Sequence, residues 1–121
     1  MGMAASKIQR LVREFADNVA AQTDAIARGD HKTGNRHAKR YIQAFMALRE
    51  LGDAGRDALA PLMHEGRDDV REMAAAYLLR HRHEEARLVL EKLARGDGLV
   101  AFAAGQALQR WNEGTWQLDP P

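Results

Sequence analysis

The sequence predicts an all-α fold of about six helices, arranged as stacked antiparallel hairpins. Three observations lead to this prediction. Proline is rare and β-branched residues are sparse, whereas Ala, Leu, Arg and Glu are plentiful, which favours helices. Glycines punctuate the apolar segments at positions where helices end. Part of the second half of the chain repeats itself after thirty residues.

Apolar residues at helical spacing predict a long hairpin at the start of the chain. The first helix is expected at 6–28 and the second at 31–51. In the second helix Tyr41, Phe45 and Leu48 share one face, while basic residues occupy the other. The second helix is therefore expected to bury its aromatic face.

Four shorter helices are predicted in the remainder, at 56–65, 68–80, 84–95 and 99–112. Pro61 lies inside the first of these and predicts either a bend or a late start of the helix there, because proline lacks the N–H that a helix interior needs. The helices at 68–80 and 99–112 are apolar almost all round. Such helices must be covered on more than one side, so both are expected to be central.

The repeat brings equivalent residues thirty positions apart. The matched pairs are Gly66 and Gly96, Val70 and Val100, Ala74 and Ala104, and Leu78 and Leu108. A period of this length is typical of stacked helical hairpins. The small residues Ala104 and Gly105 are expected to let neighbouring helices approach closely.

A single domain of residues 1–121 is therefore expected, in four parts. These are an N-terminal hairpin at 6–51, a first repeat at 55–82, a second repeat at 83–114 and a tail at 115–121. The first few residues and Asp119–Pro121 are expected to be disordered. Trp116 is interpreted as a cap over the exposed end of the repeats, or alternatively as a binding hot spot.

The segment 68–78 resembles the second helix of a HEAT repeat. In that signature an Asp caps the helix, a Val and an Arg follow, and paired Ala and a Leu pack inward, as Asp68, Val70, Arg71 and Leu78 would here. The second copy departs from the signature, with Gly98 in place of the cap and Ala101 in place of the Arg. The resemblance implies a short right-handed α-solenoid.

The layout also resembles a family of small bacterial helical proteins, a domain of unknown function. The resemblance rests on Leu59-Ala60-Pro61-Leu62, Val70-Arg71, the segment 84–91 and the closing stretch 108–116. That family is similar to the HEAT-like immunity proteins of contact-dependent toxin systems. The resemblance implies binding to another protein and carries no catalytic residue.

Composition limits the classes of function. The net charge is +1, so the chain as a whole creates no strong field. The sequence holds no cysteine, which excludes disulfides and thiolate sites and is typical of a reducing cytoplasm. It also has no apolar run of the roughly 18 residues that a membrane span needs. A cytoplasmic protein is expected.

Neither catalytic, cofactor-binding nor metal-binding residues are predicted. No two histidines are four residues apart, and the nucleophile and phosphate-loop motifs are missing. Most of the paired carboxylates fall where helices begin, where the helix dipole favours them. The chain is therefore expected not to be an enzyme.

Two surfaces are predicted to bind partners. One is the outer side of the fourth helix, where Leu79 indicates either a second buried layer or an exposed apolar spot; this predicted docking patch comprises Arg71, Glu72, Ala75, Leu79 and Arg82. The other is a basic patch on the second helix, comprising Lys32, Arg36, Lys39 and Arg40. The first favours a protein-binding module, with an immunity protein that occludes a toxin as one form of it. The second favours nucleic-acid binding as the alternative.

Overall fold

The computed structural model describes residues 3–121, with Ala4 limited to its backbone, and that part of the chain contains six α-helices and no β-strand. The all-α prediction is confirmed. The helices are α1 (Met3–Ala27), α2 (His31–Glu50), α3 (Asp53–Leu59), α4 (Asp68–Tyr77), α5 (His83–Ala94) and α6 (Gly98–Glu113), and a 3₁₀ turn spans Ala60–Met63. The first helix begins at Met3, three residues before the predicted start; residues 1 and 2, where disorder was predicted, lie outside the described residues.

Two compact units divide the chain, Met1–Leu59 and Ala60–Pro121. The boundary lies inside the segment 55–82, which was predicted to form one repeat. Pro61 gives the physical reason for a break nearby: without an N–H it cannot continue the hydrogen-bonding of α3, and the chain tightens into the 3₁₀ turn. Of the two alternatives predicted at this proline, the late start is wrong, because α3 already begins at Asp53, and the regular helix ends at Leu59, before Pro61.

In the first unit α1 and α2 form an antiparallel hairpin. Phe15 meets Tyr41 edge to face, with ring centroids 5.8 Å apart. Asn18 accepts a hydrogen bond from Nδ1 of His37 at 2.8 Å on the same side of the hairpin. Asp30 caps α2, because its carboxylate accepts a hydrogen bond from the backbone N–H of Thr33.

The second unit is built around α4. This helix packs against the 3₁₀ turn, α5 and α6. It buries residues on all its sides, which are Val70, Glu72, Ala74, Ala75, Ala76 and Tyr77. The prediction that α4 is a central helix is confirmed.

The thirty-residue repeat is visible in where the helices start. Asp53 begins α3 and His83 begins α5, while Asp68 begins α4 and Gly98 begins α6. The N-cap residues of α4 and α6 are extended, and neither makes a side-chain capping bond. The helix cap that the HEAT resemblance implied at Asp68 is therefore absent, since Asp68 already belongs to the helix.

The last helix differs from its counterpart in burial. Only Ala104 and Ala107 of α6 are buried. The prediction that this helix is covered on more than one side is wrong, because α6 packs against α4 and α5 on one side and no helix follows it among the described residues. The close approach predicted at Gly105 is also absent: no atom lies within 4 Å of the position that a Cβ would occupy there.

The C-terminal tail folds back onto the second unit. The indole N–H of Trp116 donates to the carbonyl of Ala76 at 2.8 Å, and the Trp111 and Trp116 rings meet edge to face. Asp119 is 1% exposed. The tail was predicted to be disordered at Asp119–Pro121; that prediction is wrong, because Asp119 is ion-paired with Arg80.

Candidate functional site

The open face of α6 is the most apolar exposed surface of the second unit. Leu99 and Phe102 lie one helical turn apart and are 77% and 66% exposed. Gly98, with a φ of +89°, starts the helix, and the opposite side of α6 carries the buried alanines. Large apolar side chains in such positions mark binding surfaces more often than isolated exposed residues do.

A cleft of about 490 Å³ lies at the N-terminal ends of α4 and α6. It forms where these two helix starts meet the C-terminal half of α5 and the 3₁₀ turn. Its walls are partly apolar, from Met63, Val89, Leu93, Val100 and Ala101, and partly charged, from His64, Asp68, Arg71, Lys92 and Asp97. Val100 and Ala101 are the residues between Leu99 and Phe102, so the cleft and the open face share one end of α6.

The charges of the cleft are largely paired inside the protein. Arg71 pairs with Asp68, although its buried Nε has no hydrogen-bond partner among the described residues. His64 lies 2.5 Å from Glu85, and this hydrogen bond, helped by Arg82, holds the pKa of Glu85 below its usual value. A cleft with balanced charges and apolar walls suits a mixed protein surface better than a single charged ligand.

The structure does not bring the predicted docking patch together as a surface. Ala75 and Leu79 have no exposed area, and Glu72 is 6% exposed. The patch as predicted is therefore wrong for these three side chains. Of the alternatives open for Leu79, the structure shows the buried layer. Arg71 and Arg82 remain partly exposed, and each pairs with a carboxylate.

Glu72 is a feature that sequence reasoning missed. Burial, with a smaller contribution from the Asp69 carboxylate, raises the pKa of Glu72 to about 7. The sequence did carry a signal for this burial, because Glu72 lies within the apolar run of α4, one helical turn after another acid. Glu72 does not line the cleft described above. The burial of the Glu72 carboxyl is therefore expected to affect the free energy of unfolding.

The four residues of the basic patch are all exposed on the first ten residues of α2. Lys32, Lys39 and Arg40 take part in no ion pair with any described residue, and Arg36 donates one hydrogen bond to Oγ1 of Thr33 at 3.1 Å. His37 does not belong to this surface, because its ring is engaged by Asn18. The structure thus brings this predicted patch together as one exposed positive face, on which Arg36 also interacts electrostatically with the Asp30 carboxylate.

Aromatic and imidazole rings gather at the other end of α6. His83 stacks on Trp111, with centroids 5.2 Å apart. Trp116, which touches Trp111, is half-buried and hydrogen-bonded to α4. Of the two interpretations of Trp116, this packing favours the cap over the hot spot. Within residues 3–121, no group of three or more metal-ligating side chains lies close together.

No protein-family model, curated protein or solved structure matches this chain. None of the described helices is both long enough and apolar enough to cross a bilayer.

Proposed function

We propose that this chain is a non-enzymatic, cytoplasmic protein-binding module whose docking surface is the open face of α6. The observation that carries the proposal is the exposure of Leu99 and Phe102 side by side on the last helix. Burying a Leu or Phe side chain that is otherwise solvated stabilises a complex by about 1.5–3 kcal/mol each. A partner helix laid against α6 would provide that burial.

The repeat supports a HEAT-like right-handed α-solenoid for the fold. In such stacks each hairpin covers the apolar side of its neighbour. Among the described residues, Leu99 and Phe102 on α6 are left without such a cover. The matched helix starts at 53 and 83, and at 68 and 98, support the same arrangement. On this proposal the partner packs against the open face of α6 in the way that neighbouring hairpins of a stack pack against each other.

Occlusion of a bacterial toxin is the specific form of binding that the family resemblance favours. Toxin nucleases are basic, and the chain as a whole is nearly neutral. The charge is unevenly distributed, however: eight Lys and Arg residues stand against ten Asp and Glu residues from residue 60 onwards. The second unit, which carries the open face of α6, therefore has the sign of charge that complements a basic toxin.

The test compares charge substitutions at exposed apolar positions on two helices of the second unit. A Leu99→Glu, Phe102→Glu double variant and a single Leu88→Glu control on α5, where Leu88 is 58% exposed, are used as baits in the native host. Wild type and control are expected to retain one common partner that the double variant loses. Titration calorimetry with the purified partner should show affinity reduced at least about tenfold, a 1.4 kcal/mol change, by the double variant alone.

A partner that binds the double variant as tightly as wild type would reject the open face of α6 as the docking surface. Loss of binding by Leu88→Glu as well would show that charge anywhere on this unit abolishes binding. Circular dichroism melts of all three proteins establish that each is folded before binding is compared.

A further inference from the structure

The positive charge of the chain is concentrated on one short segment of the first unit. Ten Lys and Arg residues stand against seven Asp and Glu residues before residue 60, the reverse of the balance after it. Five of the ten fall between 28 and 40, where Asp30 is the one acid. Although the net charge of the whole chain is only +1, this segment is therefore strongly basic.

The basic patch lies along one side of α2. Lys32, Arg36, Lys39 and Arg40 follow one another at helical intervals of four, three and one residues. At 1.5 Å per residue they span about 12 Å along the helix axis. A row of cations of this length can reach several consecutive phosphates of one nucleic-acid strand.

The protein offers these cations little compensating charge, and the carboxylate of Asp30 interacts electrostatically with Arg36 without forming an ion pair with it. No carboxylate among residues 3–121 forms an ion pair with any of the four. The carboxylate of Asp30 is engaged in capping α2, and its hydrogen bonds with Thr33 hold the pKa of Asp30 below its usual value. In the second unit, by contrast, Arg67, Arg71, Arg80, Arg82 and Arg87 all pair with acids.

Helix stability does not account for this arrangement. A cation in the first turn, such as Lys32, opposes the helix dipole and destabilises the helix. The like-charged neighbours Lys32 and Arg36, and Arg36 and Arg40, repel each other at i, i+4 spacing and destabilise it further. The patch therefore lowers the stability of the helix that carries it, as expected for residues placed to bind an anion.

We propose that the basic patch of α2 binds the phosphate backbone of double-stranded nucleic acid without regard to sequence. The aromatic residues of α2, Tyr41 and Phe45, are buried, so none of them can stack on bases. The buried face of α2 is in the core, and the large apolar side chains that this helix leaves exposed are Ile42 and Met46, at 41% and 54%. Because these two could also contact a lipid surface, binding to vesicles is measured beside binding to duplexes. This activity is independent of the open face of α6.

The expected dependence on salt follows from the number of cations. If three or four phosphates are neutralised, the association constant should fall roughly 40- to 150-fold between about 50 and 200 mM salt. Affinity should be similar for unrelated sequences, because phosphate contacts carry no sequence information.

The test uses fluorescence anisotropy with labelled DNA and RNA duplexes of about 20 base pairs, long enough for a row of phosphate contacts. The Lys32→Glu, Arg36→Glu variant is compared with Arg95→Glu, Arg110→Glu, which makes the same change of charge at two exposed arginines of the second unit that have no ion pair among the described residues. The first variant should bind at least about tenfold more weakly with a smaller salt slope, and the second should stay within about twofold of wild type. A Lys32→Gln, Arg36→Gln variant replaces the first if its melting curve shows unfolding.

Equal losses in both charge-reversal variants would overturn the proposal, since the effect would then be one of net charge. So would binding to vesicles containing phosphatidylserine, or to polyglutamate, with no binding to either duplex. The Leu99→Glu, Phe102→Glu variant should keep its duplex affinity. Failure of the protein-docking proposal and failure of this one are thus separately observable.

Discussion

The carboxylate of Asp119 lies 3.3 Å from Nη2 of Arg80, and this ion pair ties the end of the chain to the residues that follow α4. Arg80 also donates to the carbonyl of Pro120 at 3.2 Å. Asp119 is almost fully buried, while the Arg80 side chain is about one-third exposed. The last residues are therefore part of the folded unit.

Removing the partner of this buried carboxylate should destabilise the second unit. Arg80→Ala is expected to lower the free energy of unfolding by about 2 kcal/mol, less than for a fully buried pair because Arg80 is partly solvated. Urea denaturation measures the change. Arg110→Ala, at an exposed arginine without an ion pair among the described residues, should change it by less than about 0.5 kcal/mol. Equal effects of the two changes would show that the contacts of Arg80 with the tail do not stabilise the unit.

Trp116 should stabilise the tail through its indole N–H as well as its ring. Trp116→Phe keeps an aromatic ring but leaves the buried carbonyl of Ala76 without this donor, and a loss of about 1–2 kcal/mol is expected. Trp111→Phe is the matched control, because the Trp111 indole N–H has no hydrogen-bond partner within the described part. Thermal melts in which Trp111→Phe lowers the melting temperature more than Trp116→Phe would contradict a stabilising hydrogen bond from Trp116.

Glu72 should make the protein less stable as the pH rises. The pKa of Glu72 is about 7 in the folded chain and near 4.5 when it is solvated, so the folded state holds the proton more tightly. Folding therefore takes up a proton between these values, and the free energy of unfolding should fall from pH 4.5 to 7 by up to about 3 kcal/mol.

Glu72→Gln should remove most of this slope and be more stable than wild type at pH 8. Urea denaturation at pH 5 and pH 8 measures it. Glu65→Gln, at an exposed acid, is the control and should follow the wild-type curve. A wild-type protein whose stability is flat or rises across this interval would show that Glu72 is solvated.

Two glycines within helices should respond in opposite directions to alanine. A Cβ on Gly55 would lie 1.9 Å from the carbonyl oxygen of Leu48, so α2 and α3 would have to separate, and Gly55→Ala should cost at least about 2 kcal/mol. Gly105→Ala meets no atom within 4 Å and should stabilise α6 by about 0.5–1 kcal/mol. Melting temperatures that move in the same direction would contradict the close approach at Gly55.

Local signals predicted the helices well and their surroundings less well. Gly114 ends α6 in the left-handed conformation, as its position after the last apolar residues predicted, since glycine adopts a positive φ without strain. The basic patch was also predictable, because the amphipathic pattern of α2 assigns Lys32 and Arg36 to the side opposite Tyr41. Which neighbours cover an apolar helix depends on residues far away in the sequence. The helices α4 and α6 show this, because their apolar patterns are similar while α4 buries six residues and α6 only two.

The sequence by itself determined the helical composition, the thirty-residue periodicity and the basic side of α2, because each depends on residues within a few turns of one another. Tertiary structure alone decided that Glu72 is buried while Phe102, its equivalent thirty residues later, is exposed. The same holds for the anchoring of Asp119 by Arg80, a contact between residues far apart in the chain. Burial depends on which elements meet, and α4 is enclosed by neighbours whereas α6 packs on one side only.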